Sequence, residues 1–216
     1  YDYGTATAQL GLARPNHPNS SIQSSMLNQE NRNGNTFNGN AFVDITFLKD
    51  FKFTFNVGTT VNEIRYYTTT NPYYGFGAEQ NGTVTMYHYR TTTLNLQQIL
   101  NYSHNFGKHN ISVMLGHESY KYNYAELSAS KKNMFSYWGN HELNGAVIDG
   151  SSAASYSNDY NTEGYFFRAL YDYDAKYYFS ASYRRDASSR FHPDNRWGNF
   201  WSVSAAWDMA KENFIS

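Results

Sequence analysis

The sequence contains no cysteine and only 4 prolines among 216 residues. The absence of cysteine excludes a disulfide-stabilised scaffold and thiolate metal ligands. No apolar run reaches the roughly 18 residues that a transmembrane helix requires. The formal net charge is −1, which gives no basis for a nucleic-acid-binding surface, so no nucleic-acid partner is expected.

Aromatic and small polar residues dominate the composition instead. Aromatic side chains make up 19% of the chain, with 21 Tyr and 15 Phe, and this mixture favours strands and loops over helices. The mean hydropathy of −0.70 is compatible with a membrane β-barrel, because half of each strand in such a barrel faces a polar lumen. The chain begins at Tyr1 without a basic and then apolar leader, which predicts either a removed signal peptide or a piece of a longer chain.

About seven segments alternate between apolar and polar residues with a period of two, which is typical of β-strands with one face of each kind. The clearest is Phe51–Asn62, in which Phe51, Phe53 and Phe55 share one face. The predicted strands are Gly39–Leu48, Phe51–Asn62, Thr91–Ser103, Asn110–Ala125, Thr162–Tyr173, Tyr177–Arg185 and Trp197–Trp207. Tyr1–Asn38 is predicted to be a loop, and Asp208–Asn213 a polar turn.

The predicted connections alternate between short and long. Short turns are expected at 48–50, 105–108 and 174–176, and longer loops at 63–90, 127–161 and 186–196. In an outer-membrane meander the turns on the periplasmic side are tight and the external loops are long. The pattern therefore predicts an antiparallel up-and-down segment of a transmembrane β-barrel with short periplasmic turns and long extracellular loops.

The charged residues near 184–196 form the most prominent candidate site. The group has two possible roles. It is either a site that binds an anion bidentately or a salt-bridged network that holds an outer loop and the barrel rim in shape. The salt-bridged network is the favoured interpretation. The group consists of Arg184, Arg185, Asp186, Arg190 and Arg196. Arg168 and Asp172 are expected on the lumen side, paired with each other or with neighbouring strands.

Other candidate residues give weaker signals. Tyr66, Tyr67, Tyr73 and Tyr74 are expected either to stack on sugar rings or, as the favoured interpretation, to belong to an interfacial aromatic girdle and rim. The seven His show no metal-ligand spacing, and His117-Glu118 lacks the second His of a zinc motif. No catalytic residue, metal site or cofactor is expected, and the chain is not expected to be an enzyme.

A series of motifs resembles the SusC/RagA family of TonB-dependent outer-membrane transporters. The motifs are Arg184-Arg185-Asp186, Ser188-Ser189-Arg190-Phe191, Asn195-Arg196-Trp197-Gly198 and Ser202-Val203-Ser204-Ala205. The match covers about 162–216 well, and the hairpin at 47–55 resembles the family less specifically. Ala187 stands where the family usually has Gly, so a positive φ is not carried over to that position. His192 and Trp201 replace a usual Gly and Pro, so the loop tip and the strand start are expected to differ.

The resemblance implies a barrel of about 22 strands, in which 1–216 forms a partial barrel domain of a TonB-dependent receptor. It also implies a plug and a TonB-contacting N-terminal region, which this chain does not contain, and a SusD-like surface lipoprotein. The implied function is uptake of oligosaccharides or peptides across the outer membrane of a Gram-negative bacterium, by a multi-pass protein in contact with outer-membrane lipids.

Two alternatives share part of this evidence. A passive porin-like channel has the same strand and loop pattern, and a soluble carbohydrate-binding β-sandwich has similar strands.

Seven strands are predicted, whereas bacterial single-chain barrels have an even number of strands, about eight or more. We therefore expect an open, curved antiparallel sheet whose first and last strands do not pair, and two sheets packed face to face would contradict this expectation.

Overall fold

A computed structural model describes residues 27–73, 76–135, 137–139 and 141–212. Within these residues seven strands form one sheet in the sequential order β1 to β7, so that β1 and β7 are its edge strands. The strands are β1 Gln29–Phe47, β2 Phe51–Thr70, β3 Thr83–Phe106, β4 His109–Met134, β5 Ala146–Tyr173, β6 Tyr177–Ser188 and β7 Trp197–Trp207. The predicted up-and-down order and the unpaired first and last strands are confirmed, and the two-sheet sandwich is excluded.

From residue 71 to residue 212, the helical elements of the described chain are single turns. The short helix α1 spans Phe76–Glu79, and 3-10 turns span Leu143–Gly145, Pro193–Asn195 and Met209–Lys211. No helix in the described residues is long and apolar enough to cross a membrane.

The strand bounds correct several predictions made from the sequence. The bounds of β7 agree with the prediction, whereas β1 to β5 extend well beyond it. The loops predicted at 63–90 and 127–161 are wrong in extent, because the connections span only 71–82 and 135–145, and 29–38 is strand rather than loop. Residues 1–26 of that predicted loop lie outside the described residues. The short turns at 48–50, 107–108 and 174–176 still alternate with the longer connections.

The chain divides into two compact units. The first unit, called the loop unit, consists of Tyr1–Thr36, Val61–Thr91 and Tyr124–Asn158. The second, called the turn unit, consists of Phe37–Thr60, Thr92–Asn123 and Asp159–Ser216, and it contains the three short turns.

The loop unit has a small buried core at the ends of β3, β4 and β5. Val84, Met134 and Ala146 are buried in it, together with Tyr137 from the connection after β4. Gly82 has a φ of +78°, and a Cβ there would lie 3.2 Å from Met134 Sδ. Val84, Met134 and Ala146 lie in the parts of β3, β4 and β5 that extend beyond the predicted strands.

In the turn unit the two faces of the sheet differ in chemistry. In β5 to β7 the registers pair Ala169 with Ala181, and Ala181 with Val203. The apolar side chains of these strands therefore share one face, as the sequence pattern predicts. We call it the apolar face and the opposite side the polar face.

The apolar face is bounded at its turn end by a row of aromatic side chains, which we call the turn-side belt. It contains Phe47, Phe51, Tyr102, His109, Tyr173, Tyr177 and Trp207. Phe47 and Phe51 stack with ring centroids 5.5 Å apart across the three-residue turn, which agrees with the short turn predicted at 48–50. Leu48 and Lys49 adopt positive φ in this turn.

A second row crosses the apolar face further from the turns, and we call it the loop-side belt. It contains Gln98, His117, Glu163, Tyr165, Arg185 and Trp197. From Tyr177 to Arg185 the strand rises about 26 Å at about 3.3 Å per residue. A tilt of about 40° reduces this rise to about 20 Å, close to the apolar band of about 25 Å in outer-membrane barrels.

The polar face carries hydrogen-bonded pairs across neighbouring strands. Asp44 accepts from Thr54 Oγ1 at 2.6 Å and forms an ion pair with Lys52 at 3.0 Å. The hydroxyls of Ser180 and Ser204 lie 2.7 Å apart. Asp172 Oδ1 accepts from Asn110 Nδ2 at 3.0 Å, which agrees with the predicted contact to a neighbouring strand.

The alternative pairing of Asp172 with Arg168 is not observed. No ion pair joins the two side chains in the described part of the chain. Arg168 instead lies opposite Ser182 in the register of β5 and β6.

Candidate functional site

The residues of the family motif lie at the end of β6, in the connection 189–196 and at the start of β7. Successive side chains of a strand point to opposite faces. Arg184 and Asp186 therefore lie on the polar face, while Arg185 between them lies on the apolar face, where its guanidinium is over the Trp197 ring at 4.8 Å from the centroid.

Arg184 is the centre of an ion-pair cluster on the polar face. Its Nε donates to both carboxylate oxygens of Asp186 at 2.8 and 2.7 Å, and an Nη atom lies 3.6 Å from Glu118 Oε2. The guanidinium also covers the Phe166 ring at 5.6 Å. This ring lies directly against Gly116, where an added Cβ would overlap it. The cluster thus ties β4, β5 and β6 together.

Asp186 has a glycine opposite it on both neighbouring strands, Gly164 on β5 and Gly198 on β7. A Cβ on Gly164 would lie 2.5 Å from Asp186 Oδ1. A Cβ on Gly198 would lie 3.2 Å from the Phe200 ring. Gly164 therefore provides space beside the ion pair, and Gly198, the glycine of the Asn-Arg-Trp-Gly motif, provides space for the Phe200 ring. Ala187 adopts no positive φ and continues the regular register of β6.

The remaining arginines of the predicted group do not join this cluster. Arg190 lies over the Tyr160 ring at 4.2 Å, and Arg196 Nε donates to the carbonyl of Phe191 at 3.0 Å. The predicted salt-bridged network is thus correct for Arg184 and Asp186 only. The structure does not bring the five charged residues to one point.

Local hydrogen bonds order the connection between β6 and β7. Ser189 N donates to the carbonyl of Asn161 at 2.9 Å, and Asn161 N donates to Ser189 Oγ at 2.9 Å. Ser188 Oγ accepts from Arg190 N at 3.3 Å, and Asn195 N donates to the carbonyl of His192 at 2.9 Å. These contacts show how the Ser-Ser-Arg-Phe and Asn-Arg motifs hold the loop shape.

A row of tyrosines in the loop unit is a second candidate site, which we call the tyrosine row. Its members come from four strands and contact one another in sequence, with centroid distances of 5.7, 5.8, 6.4 and 6.2 Å. They are Tyr66, Tyr87, Tyr89, Tyr124 and Tyr156. Alternating tyrosines at 87 and 89 and at 120, 122 and 124 are the sequence signal that could have revealed part of it.

The row differs from the tyrosine group predicted from the sequence. Tyr66 and Tyr67 lie in β2 rather than in a loop, and Tyr67 stacks on His141 at 4.5 Å. Tyr73 makes an edge contact with Tyr137 at 6.2 Å. Tyr74 lies outside the described residues.

A cavity of about 530 Å³ opens beside the tyrosine row. Its lining includes Tyr66, Tyr89, Tyr124, Glu30 and Arg32. The hydroxyl of Tyr66 donates to Glu30 Oε2 at 3.3 Å. Burial raises the pKa of Tyr66 and the pKa of Tyr89, so both hydroxyls remain protonated hydrogen-bond donors at neutral pH. The cavity therefore presents flat aromatic surface, neutral donors and one charge of each sign.

No group of three or more His, Cys, Asp or Glu in the described ranges could hold a metal ion. His117 instead contacts Gln98 Oε1 at 2.6 Å and Glu163 Oε1 at 3.3 Å.

The single antiparallel sheet has an apolar band on one face, between the aromatic turn-side belt and the mixed aromatic and polar loop-side belt, and polar pairs on the other face. This arrangement defines a strand segment of a transmembrane β-barrel. No family model matches the chain. It is 31% identical over 193 residues to a TonB-dependent receptor of Formosa agariphila, covering 86% of this chain and 19% of the relative. It is 28% identical over 211 residues to the TonB-dependent receptor SusC of Bacteroides thetaiotaomicron, covering 94% of this chain and 20% of SusC.

Among solved structures, the RagAB peptide transporter superimposes with a TM-score of 0.81 at 24% identity, covering 91% of this chain and 22% of that chain. The sequence relatives show that the chain belongs to the SusC/RagA type of TonB-dependent receptor, and the RagAB structure shows that the fold is shared. The chain spans about a fifth of the length of the curated relatives it matches. These relatives are receptors rather than enzymes.

Proposed function

We propose that the chain is part of the barrel wall of an outer-membrane TonB-dependent importer that takes up oligosaccharides or peptides. The observation that carries this proposal is the two-faced sheet of the turn unit. Its apolar face matches the height of a membrane core, and its polar face is held by hydrogen bonds that suit a water-filled lumen. Membership of the SusC/RagA type supports the same conclusion.

The orientation follows from the connections. The short turns at 48–50, 107–108 and 174–176 are periplasmic in this proposal, and the connections at 71–82, 135–145 and 189–196 are extracellular. The loop-side belt then lies in the outer leaflet and the turn-side belt in the inner leaflet.

The tyrosine row is the proposed substrate contact. Its side chains share one side of β2 to β5 within the loop unit, because each ring contacts the next. Tyrosine rings offer flat apolar surface for a sugar ring or a peptide side chain and a hydroxyl for hydrogen bonds. RagAB is a peptide transporter, and a sugar cargo is the alternative in the same type of protein.

Energy coupling separates the importer from a passive channel. We expect uptake of the cargo by intact cells that carry the full-length receptor to stop when a protonophore collapses the inner-membrane proton gradient. Uptake that continues unchanged with the protonophore would identify a passive porin-like channel.

Replacement of two rings of the tyrosine row tests whether the row contacts the substrate. Tyr87→Ala combined with Tyr89→Ala removes two adjacent rings, each worth about 0.5–1.5 kcal/mol of stacking. We expect the cargo concentration that gives half-maximal uptake to rise about 5- to 160-fold. The matched control is Tyr67→Ala, on the opposite face of β2. An equal change in both variants would contradict the assignment.

The partners are also part of the proposal. A SusD-like surface lipoprotein is expected to cover the extracellular end, and a plug and a TonB-contacting region are expected in the rest of the receptor. The small share of the relatives that this chain spans supports a partial barrel domain. Co-purification of a lipoprotein with the tagged full-length receptor tests this partnership.

A further inference from the structure

We propose that Arg185, seated on Trp197, binds the phosphate of an anionic lipid headgroup in the outer leaflet. The inference rests on the proposed membrane orientation but concerns a different face from the substrate contact. It assigns a lipid site to the one arginine of the family motif that lies on the apolar face.

Arg185 lies among aromatic neighbours. It pairs with Tyr165 on β5 and with Asn199 on β7, and its guanidinium covers the Trp197 ring at 4.8 Å. Tyr165 and Trp197 are themselves stacked with centroids 6.0 Å apart. A guanidinium held over an aromatic ring can still present its N–H groups to a bidentate acceptor.

The charge of Arg185 is not neutralised by a carboxylate. Within the described part of the chain no ion pair involves Arg185, in contrast to Arg184 beside it. The acidic residue of the loop-side belt, Glu163, instead accepts from Tyr165 Oη at 2.6 Å and contacts His117 Nε2 at 3.3 Å. The arginine is therefore an exposed cation without a protein anion.

The position of Arg185 along the strand decides the kind of anion. On the apolar face of β6 the residues toward the turn are Tyr183, Ala181 and Phe179, so Arg185 is the first charge above the apolar band. Arg and aromatic residues at this boundary meet the headgroup level of a bilayer. A phosphate carried on a lipid is held at this level by its acyl chains, whereas a free ion is not.

The test measures lipids retained by the full-length receptor. The protein is reconstituted in nanodiscs with equal amounts of dioleoylphosphatidylglycerol and dioleoylphosphatidylcholine, extracted into mild detergent, and analysed by native mass spectrometry. We expect the wild-type protein to retain the anionic lipid preferentially and Arg185→Gln to lower the ratio about fivefold. Arg185→Lys should keep part of the preference, since it restores the charge without the planar fork.

The matched control is Arg168→Gln, which removes the same charge from the polar face of the adjacent strand. We expect it to leave the lipid ratio unchanged. Equal ratios for the wild type and Arg185→Gln would overturn the proposal, and so would equal losses in the two Gln variants. A wash with excess inorganic phosphate should leave the retained lipid in place. Loss of the preference in this wash would assign a free-anion site instead and overturn the lipid assignment.

The heat-dependent gel shift of the same samples separates this proposal from the proposed function. A receptor that inserts and shows proton-dependent uptake, but has no Arg185 effect, would overturn the lipid site alone. A receptor that does not enter the membrane would overturn both.

Discussion

The position of a residue on the apolar face of β6 determines how deep in the membrane an introduced charge would lie. Ala181 lies midway between Tyr177 of the turn-side belt and Arg185 of the loop-side belt, opposite Ala169 and Val203. An arginine at the midplane of a barrel's lipid face costs about 2–4 kcal/mol. Ala181→Arg should therefore lower the folding equilibrium about 30- to 900-fold.

Two control variants isolate the effect of lipid. Ser182→Arg introduces the same side chain on the polar face and loses the 2.7 Å hydrogen bond to Ser202, which is worth about 0.5–1.5 kcal/mol. Ala181→Met introduces comparable bulk without charge on the lipid side, where nothing packs tightly, and should be close to neutral.

The assay is folding of the full-length receptor into phosphatidylcholine vesicles across a urea series, followed by the heat-dependent gel shift. The midpoint should fall most for Ala181→Arg, less for Ser182→Arg and least for Ala181→Met. If the two arginine variants have equal midpoints, the apolar face of β6 does not meet lipid and the assignment of the two faces is wrong.

Further predictions test the same fold at other positions. Phe55→Arg should reduce the amount of receptor in the outer membrane far more than Asn56→Arg, and equal yields in membrane fractions would contradict the orientation of β2. A cysteine at Gln80 should react with an impermeant maleimide on intact cells and one at Ala175 should not, whereas the reverse would invert the topology. The Lys108 ammonium donates to Asp174 at 2.8 Å and lowers the pKa of that carboxyl. Because the folded pKa lies below the unfolded one, its contribution to stability is present above a pH of about 4 and is lost as the pH falls through the folded pKa. Asp174→Asn should flatten this part of the profile of unfolding midpoint against pH.

Alternation of side chains was sufficient to predict the membrane-facing part of the fold. Phe51 and Phe53 on β2, or Trp201 and Val203 on β7, mark strands because lipid demands apolar residues on one face only. The same rule could not find the outer parts of β1 to β5. There Thr36 bonds to Asn62, Thr85 to Ser130 and Tyr89 stacks on Tyr124, so both partners are polar or amphipathic and leave no alternation of hydropathy.

The candidate site was predicted only in part for a related reason. Neighbouring residues in a sequence look like one cluster, but a strand sends Arg184 and Arg185 to opposite faces. The ion pair of Arg184 with Glu118 and the contact of Phe166 with Gly116 join residues far apart in the chain. Such contacts depend on the pairing of β4 with β5, which no local pattern in the motif specifies.

The two glycines opposite Asp186 have a consequence for assembly. A shift of β6 by two residues along β5 would keep every side chain on its correct face, so hydrophobic patterning alone cannot reject it. Such a shift would place Asp186 against Thr162 or Phe166 instead of Gly164, and the carboxylate and its arginine would meet a side chain where they need empty space. The pairing of Gly164 with Asp186 therefore specifies the register of β5 and β6, because only the correct alignment avoids this clash. A slipped hairpin would retain this clash, and Gly164→Ala should be tolerated better when Asp186 is replaced by a smaller residue.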